Sequence, residues 1–212
     1  MRNFLWIVII GIWSTFTKIN AQFAHTTCSD QIQSWKIKKT ELVEITNRLP
    51  TGNNLNHESL RRIIYPEYMS YNETSNSYEC SLIKLLYTIG SDRFSTISIG
   101  PFQMQLKFIN TILKALPPTP QTEIVYKTLE YGDYKAMVDQ LQFLSKIETQ
   151  WEILLMYERY ASVIGLFKDK SNTDMIVNYY NSGKTYRVYS NFSKLDCDSK
   201  NYLDWSIFFS TL

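Results

Sequence analysis

Apolar residues recur at helical spacing along most of the chain, and this periodicity constrains the fold more than any other feature. Between positions 77 and 89, for example, Leu82, Leu85 and Ile89 fall on one face of a helix, and Gly90 follows as a stop signal. Gly and Pro are scarce, with 7 and 6 copies in 212 residues, which disfavours a turn-rich sandwich or barrel. The sequence therefore predicts a mainly α protein.

The same periodicity locates the helices and leaves no long linker between them. Helices are predicted over 29–47, from about 56 onward, and over 77–89, 103–116, 121–131, 133–147, 150–167, 173–181 and 199–210. Pro66 lies inside the second of these and should kink or end it, because proline has no backbone N–H to donate. Residues 91–101 are predicted to be irregular or short-stranded. Since no internal repeat occurs, residues 22–212 are predicted to form a single helical domain.

Residues 1–21 have the pattern of a secretory signal peptide. Arg2 supplies the positive charge, an apolar run follows from Phe4 to Phe16, and the segment closes on the small residue Ala21. A membrane anchor is the alternative, but the run is shorter than the roughly 20 residues that a spanning helix needs. We therefore expect an exported protein, periplasmic or secreted, that keeps no membrane span after processing.

Charge and histidine content exclude several functional classes. Removal of residues 1–21 takes away Arg2 and Lys18 and lowers the formal charge from +2 to zero, so nucleic acid is not expected as a partner. His25 and His57 are the two histidines of the chain, too few for most zinc sites and a poor start for a Ser-His-Asp triad. No phosphate-binding Gly loop or metal-binding motif is present, and we expect no cofactor and no metal.

Three cysteines, Cys28, Cys80 and Cys197, remain after residue 21. An odd number in an oxidising compartment allows at most one disulfide within the chain. A bond from Cys28 to Cys197 would join the two ends of the domain. Cys80 falls in an apolar helical segment and is predicted to be a small buried hydrophobic residue.

Three polar segments interrupt the helical pattern and contain the candidate functional residues. They are Tyr65-Pro66-Glu67-Tyr68, then Ser98-Ile99-Gly100-Pro101-Phe102-Gln103-Met104, and then Tyr179-Tyr180-Asn181-Ser182-Gly183. Each has a purely structural interpretation as well. Glu67 could be an acid in the first turn of a helix that restarts at Pro66, Gln103 could open the next helix, and Gly183 could end one.

Taken in this order, the segments resemble the lysozyme-like superfamily, specifically soluble lytic transglycosylases and goose-type lysozymes. The matching residues are Glu67, then Gly100 with Gln103 and Met104, then Tyr180-Asn181-Ser182-Gly183. The pattern is also similar to that of a group of exported bacterial proteins with Pro-Glu, Ser-Ile-Gly-x-Phe-Gln-Met and Tyr-Asn-x-Gly.

The resemblance implies a lysozyme-like fold and cleavage of peptidoglycan or a related amino-sugar glycan. Glu67 would be the general acid and then the base, and the N-acetyl group of the sugar would act as internal nucleophile. The implied substrate-binding residues are Ser98, Gly100, Gln103, Met104, Tyr180 and Asn181.

Glu79 is the alternative catalytic acid. It lies 24 residues before Gln103, closer to the spacing of the family than the 36 residues that separate Glu67 from Gln103. However, Asn76 and Glu79 have the spacing of a capping box, which would place Glu79 at a helix start, whereas the acid of this family lies at a helix end. We therefore prefer Glu67, although Tyr68 follows it where the family commonly has Ser.

Two other functions stay open at this stage. The protein could be a non-catalytic glycan-binding or scaffold protein that keeps the fold, or a hydrolase of another amino-sugar polymer that uses two carboxylates. The two-carboxylate scheme requires a partner acid across the groove, for which Glu73, Glu79 and Asp92 are the nearest candidates in sequence.

Overall fold

The computed structural model describes residues 28–120, 122–129, 133–167, 173–182 and 202–212. The chain divides after Ile37 into two units, and the second, Lys38–Leu212, contains the site described below. Of the first unit the structure describes the helical residues 28–37. The predicted signal peptide lies outside the described residues.

Helices dominate the described residues, and the predicted mainly α class is confirmed. The helices are α1 (Cys28–Thr46), α2 (His57–Ser70), α3 (Glu73–Thr88), a 3₁₀ helix (Asp92–Thr96), α4 (Leu106–Ala115), α5 (Glu123–Thr128), α6 (Tyr134–Asp139), α7 (Leu141–Leu144), α8 (Ile147–Val163), α9 (Thr173–Ser182) and α10 (Tyr202–Thr211). Strands β1 (Ser98–Ile99) and β2 (Met104–Gln105) pair antiparallel between α3 and α4. Among the described residues no helix is both long enough and apolar enough to cross a membrane.

Helix α2 runs through Pro66 to Ser70, so a helix end at this proline is not observed. Proline cannot donate to the carbonyl four residues earlier, which here belongs to Arg62. The hydroxyl of Ser206, on α10, donates to that carbonyl oxygen at 2.5 Å instead. A donor from the far end of the chain therefore satisfies the group that Pro66 leaves unpaired, and Glu67 stays in the last turn of α2.

Helix α3 begins earlier than predicted, and the expected capping box is wrong. Asn72 is the N-cap, and its side chain accepts the Thr74 N–H at 2.8 Å. Glu73 therefore opens the helix, and Glu79 lies in its second turn. The end of α3 is as predicted, because Gly90 follows it with a φ of +73°.

Three other helix boundaries differ from the prediction. The segment predicted as helix from 103 first forms strand β2, and α4 starts at Leu106. Helix α5 is predicted over 121–131 but covers Glu123–Thr128, with Thr122 at its N-cap position. The predicted helix 133–147 is two short helices, α6 and α7.

The core surrounds α8, which packs against α4, α5 and α7. Its fully buried residues include Trp151 and Tyr157, and Trp151 donates its indole N–H to the Pro50 carbonyl at 2.8 Å. Each fully buried side chain of this size stabilises the fold by about 2 kcal/mol or more. On the other side, α2, α9 and α10 pack against one another. The end of α2 and the β1–β2 hairpin lie where these two groups of helices meet, since Phe102 contacts both Tyr68 and Trp151.

Candidate functional site

A cleft of about 440 Å³ lies between the end of α2, the hairpin, α4, α8 and α9. It combines carboxylate, amide, hydroxyl and aromatic groups, as small-molecule sites commonly do. The lining residues are Glu67, Ser98, Gln103, Met104, Gln105, Lys107, Phe108, Thr111, Ile112, Tyr160, Tyr179, Tyr180 and Asn181.

The hairpin forms one wall of the cleft and contains an unusual turn. Ser98 pairs with Gln105 and Ile99 with Met104, so the turn spans residues 100–103. The Gln103 N–H donates to the Gly100 carbonyl at 3.0 Å and closes it. Both end residues have left-handed backbone, with φ of +69° at Gly100 and +50° at Gln103. A left-handed glutamine is uncommon, so the surroundings must hold it in this conformation.

The side chain of Gln150, on α8, holds the turn through hydrogen bonds to its backbone. It is fully buried, it accepts the Phe102 N–H at 2.7 Å, and its own amide donates to the Ile99 carbonyl at 2.7 Å. A Cβ atom added to Gly100 would collide with the side-chain amide of Gln150. Glycine at this position therefore meets two requirements, a positive φ and a close approach to a buried amide.

Two further side chains from other helices hold the same turn. Asn76, on α3, accepts the Gly100 N–H at 2.7 Å. Tyr180, on α9, donates its hydroxyl to the Phe102 carbonyl at 2.8 Å. The Tyr180 ring also packs against Phe108 and Tyr157. The turn is thus held by side chains from α3, α8 and α9, which makes this wall of the cleft preorganised.

Glu67 is the acid of the cleft. It is half-buried, and burial together with the nearby negative charge of Glu79 raises its pKa from 4.5 to about 7. Its place in the last turn of α2 acts in the same direction, because the negative end of the helix dipole disfavours a carboxylate. Within the described residues, no hydrogen bond to its carboxylate group is formed. Near neutral pH a carboxyl group of this kind is about half protonated, whereas an ordinary glutamate is ionised.

The charge of Glu67 affects the ionisation of Tyr180. Burial and the charge of Glu67 raise the pKa of the Tyr180 phenol well above its ordinary value. Tyr180 therefore stays protonated and keeps its hydrogen bond to the hairpin. The two residues come from the first and third polar segments of the sequence.

The structure brings most of the sequence-predicted site residues together in this cleft. Ser98, Gln103, Met104, Tyr180 and Asn181 line it with Glu67. Gly100 contributes its backbone to the turn rather than a lining surface. Gly183 lies outside the described residues, and the side chain of Ser182 is not described.

The alternative acids occupy other positions. Glu79 does not line the cleft, but its Oε2 atom accepts from the Gln103 side-chain amide at 3.5 Å. Glu73 and Asp92 are also absent from the lining. Tyr68 points away into the core, with its ring 6.4 Å from that of Phe102.

Sequence reasoning missed Asn76, Gln150 and the aromatic residues Phe108 and Tyr160. For Gln150 a signal was present: it shares the buried face of α8 with Leu154, Tyr157 and Ala161. A glutamine in such an apolar row must have buried hydrogen-bond partners. No comparable signal marks Asn76, because its partner is a backbone N–H 24 residues away.

No group of three His, Cys, Asp or Glu residues in the described part of the chain could hold a metal ion. His57, expected at a helix start, is the first residue of α2, and its ring stacks on Trp151. Cys80 is free and half-buried, 3.8 Å from the Ser145 hydroxyl. Cys197 lies outside the described residues and the side chain of Cys28 is not described, so the predicted pairing of these two stays a prediction.

Comparison of the chain with models of known protein families, with curated proteins and with solved structures finds no significant match.

Proposed function

We propose that the protein cleaves peptidoglycan, or a related amino-sugar glycan, as a lytic transglycosylase or muramidase with Glu67 as its general acid and base. The observation that carries this proposal is the ionisation of Glu67. Among the described residues it is the one carboxyl group that lines the cleft, and its pKa of about 7 keeps about half of the molecules protonated at neutral pH. A general acid for glycosidic bond cleavage needs this property.

A single acid suits a substrate-assisted mechanism. Glu67 gives its proton to the leaving glycosidic oxygen while the N-acetyl oxygen of the sugar attacks C1 and displaces it. The Glu67 carboxylate then removes a proton from the sugar's own 6-hydroxyl, which closes an anhydro ring, or from water, which completes a hydrolysis. Schemes with two carboxylates require the second to reach the same bond. Glu79 lies behind Gln103 and outside the cleft lining, which favours the single-acid scheme.

The other walls of the cleft suit a sugar chain. Tyr160, Tyr179 and Phe108 offer aromatic faces, on which sugar rings commonly stack. Ser98, Gln103 and Asn181 offer polar groups for hydroxyl and amide contacts. The leader predicted at residues 1–21 would take the protein to a compartment where such glycans occur.

Digestion of purified peptidoglycan tests the proposal. The wild-type protein, Glu67→Gln and Glu73→Gln are compared at pH 6, and the soluble products are resolved by mass spectrometry. Glu73 is the matched control, because it is a glutamate on α3 outside the cleft lining. We expect anhydro-sugar products from the wild type and from Glu73→Gln, and a loss of at least about 100-fold in Glu67→Gln, the usual order for removal of a general acid.

Other products identify the other functions. Reducing ends in place of anhydro-sugars indicate hydrolysis by the same acid. Absence of products from every variant, together with retained binding of the glycan, indicates the non-catalytic glycan-binding protein. The position of Tyr68 favours this second candidate, because its hydroxyl does not line the cleft and leaves Glu67 without the neighbour that the family commonly supplies.

A further inference from the structure

Helix α3 holds both ends of the hairpin turn. Asn76 and Glu79 are three residues apart on this helix and therefore lie on one face. Asn76 accepts the backbone N–H of Gly100, at the start of the turn, and Glu79 accepts the side-chain amide of Gln103, at its end. This face of α3 thus supports the hairpin turn, which belongs to one wall of the cleft.

We propose that Glu79 is a positioning residue of this site, whose carboxylate holds the Gln103 amide against the cleft wall and acts on Glu67 through space. Its part in catalysis rests on the proposed function. The contact with Gln103 and the effect on Glu67 are properties of the protein without substrate.

The left-handed backbone of Gln103 explains why its side chain needs hydrogen-bond partners that hold the residue in place. Its left-handed backbone is less favourable than an ordinary conformation for a residue with a side chain. Its amide nitrogen has two hydrogens, and these face two acceptors, the Gly100 carbonyl at 3.0 Å and Glu79 at 3.5 Å. An acceptor that carries negative charge strengthens such a contact. The Gln103 side chain lines the cleft. Loss of Glu79 would leave its amide with one hydrogen bond in place of two.

The charge of Glu79 acts on Glu67 in a defined direction. An ionised Glu79 makes a second negative charge at Glu67 costly, so it raises the pKa of Glu67, in addition to the effect of burial. Burial raises the pKa of Glu79, and the hydrogen bond from Gln103, which favours the ionised form, offsets part of this effect. The other titratable groups around the two acids are Tyr71, Cys80, Lys107, Tyr160, Tyr179 and Tyr180. Lys107 is the one cation among the described residues that line the cleft.

Titration of Glu67 by carbon-detected NMR of the full chain tests this proposal without substrate. The side-chain carboxyl signal is assigned by its absence in Glu67→Gln and followed from pH 4 to pH 9. In Glu79→Gln, which keeps an acceptor for Gln103 but removes the charge, we expect the Glu67 midpoint to move to lower pH. In Glu73→Gln, on the same helix, we expect it to stay where it is in the wild type.

A second variant separates the charge from the contact. Glu79→Asp keeps the negative charge but shortens the side chain by one methylene. We expect the Glu67 midpoint to remain close to that of the wild type, while the side-chain amide signals of Gln103 shift. An unchanged Glu67 midpoint in Glu79→Gln would overturn the proposal, and so would unchanged Gln103 amide signals in Glu79→Asp.

The two proposals fail in different ways. A Glu67 midpoint that falls in Glu79→Gln, with no glycan cleavage by the wild type, rejects the proposed function and leaves the positioning role intact. Cleavage by the wild type, with the same alkaline limb of the pH–rate profile in Glu79→Gln, rejects the role of Glu79. We expect that limb to move to lower pH, with a smaller change in KM than in kcat.

Discussion

Ser206 donates its hydroxyl to the carbonyl oxygen of Arg62, 144 positions earlier in the chain, and this bond replaces the one that Pro66 cannot make. Ser206 is fully buried on α10, which packs along α2. An unpaired carbonyl at a buried position would cost about 1–3 kcal/mol. The last turn of α2, which carries Glu67, is therefore stabilised by the C-terminal helix.

A double-mutant cycle measures this relationship. We expect Ser206→Ala to lower the free energy of unfolding by about 1–2 kcal/mol in the wild-type background, because the Arg62 carbonyl loses its donor. In a Pro66→Ala background the cost should be much smaller, since an alanine at this position supplies the missing backbone N–H. Urea denaturation of the four proteins gives both values. Equal costs in the two backgrounds would contradict the assignment.

Gly100 and Gly90 form a matched pair for testing the hairpin turn. Both have a positive φ, but a Cβ at Gly90 would have no neighbour within 4 Å, whereas one at Gly100 would collide with Gln150. We expect Gly90→Ala to cost about 1 kcal/mol, the ordinary penalty of left-handed backbone. Gly100→Ala should cost about 3 kcal/mol, because the buried Gln150 amide must also move. Thermal or urea unfolding measures both, and equal losses would show that the Gln150 contact is unimportant.

Replacement of Gln150 by leucine removes the bridge between α8 and the hairpin. The Phe102 N–H and the Ile99 carbonyl would both lose a buried partner, and we expect a loss of about 2–4 kcal/mol in the free energy of unfolding. Gln142→Leu, at an exposed position on α7, is the control and should change stability by less than about 0.5 kcal/mol. Similar effects of the two substitutions would argue against the bridge.

The raised pKa of Glu67 makes stability depend on pH. Below pH 4.5 the folded and unfolded chains both hold this proton. Between pH 4.5 and about 7 the unfolded chain releases it while the folded protein keeps it, so the free energy of unfolding falls as the pH rises. The total loss is on the order of 3 kcal/mol and is complete above about pH 7.

Glu67→Gln tests this dependence, because glutamine resembles the protonated carboxyl group. We expect the variant to match the wild type at pH 4 and to be more stable at pH 8 by up to about 3 kcal/mol. Urea denaturation at the two pH values gives the comparison, with Glu73→Gln as control. A stability difference that is the same at both pH values would show that Glu67 titrates normally.

Much of the fold could be predicted from local pattern. The helical face of α3 and its end at Gly90 depend on residues within a turn or two of one another, and so does the start of α2 at His57. The predicted capping box at Asn76 was wrong, although its residue types were suitable. Asn72 caps the helix instead. The Asn76 side chain accepts the Gly100 N–H, and this partner is too distant in sequence for a local capping pattern to predict.

The sequence by itself determined the mainly helical class and the three polar segments that interrupt it, because helical periodicity and turn residues act over short stretches of chain. Tertiary structure decided that Glu67, Gln103 and Tyr180 line one cleft, that α2 continues past Pro66, and that the pKa of Glu67 is raised to about 7. Each of these depends on groups far apart in sequence: the Ser206 hydroxyl, the Gln150 amide, the Glu79 charge and the side chains that keep water from Glu67. Burial and electric field arise from packing, and only the folded chain brings such groups within reach of one another.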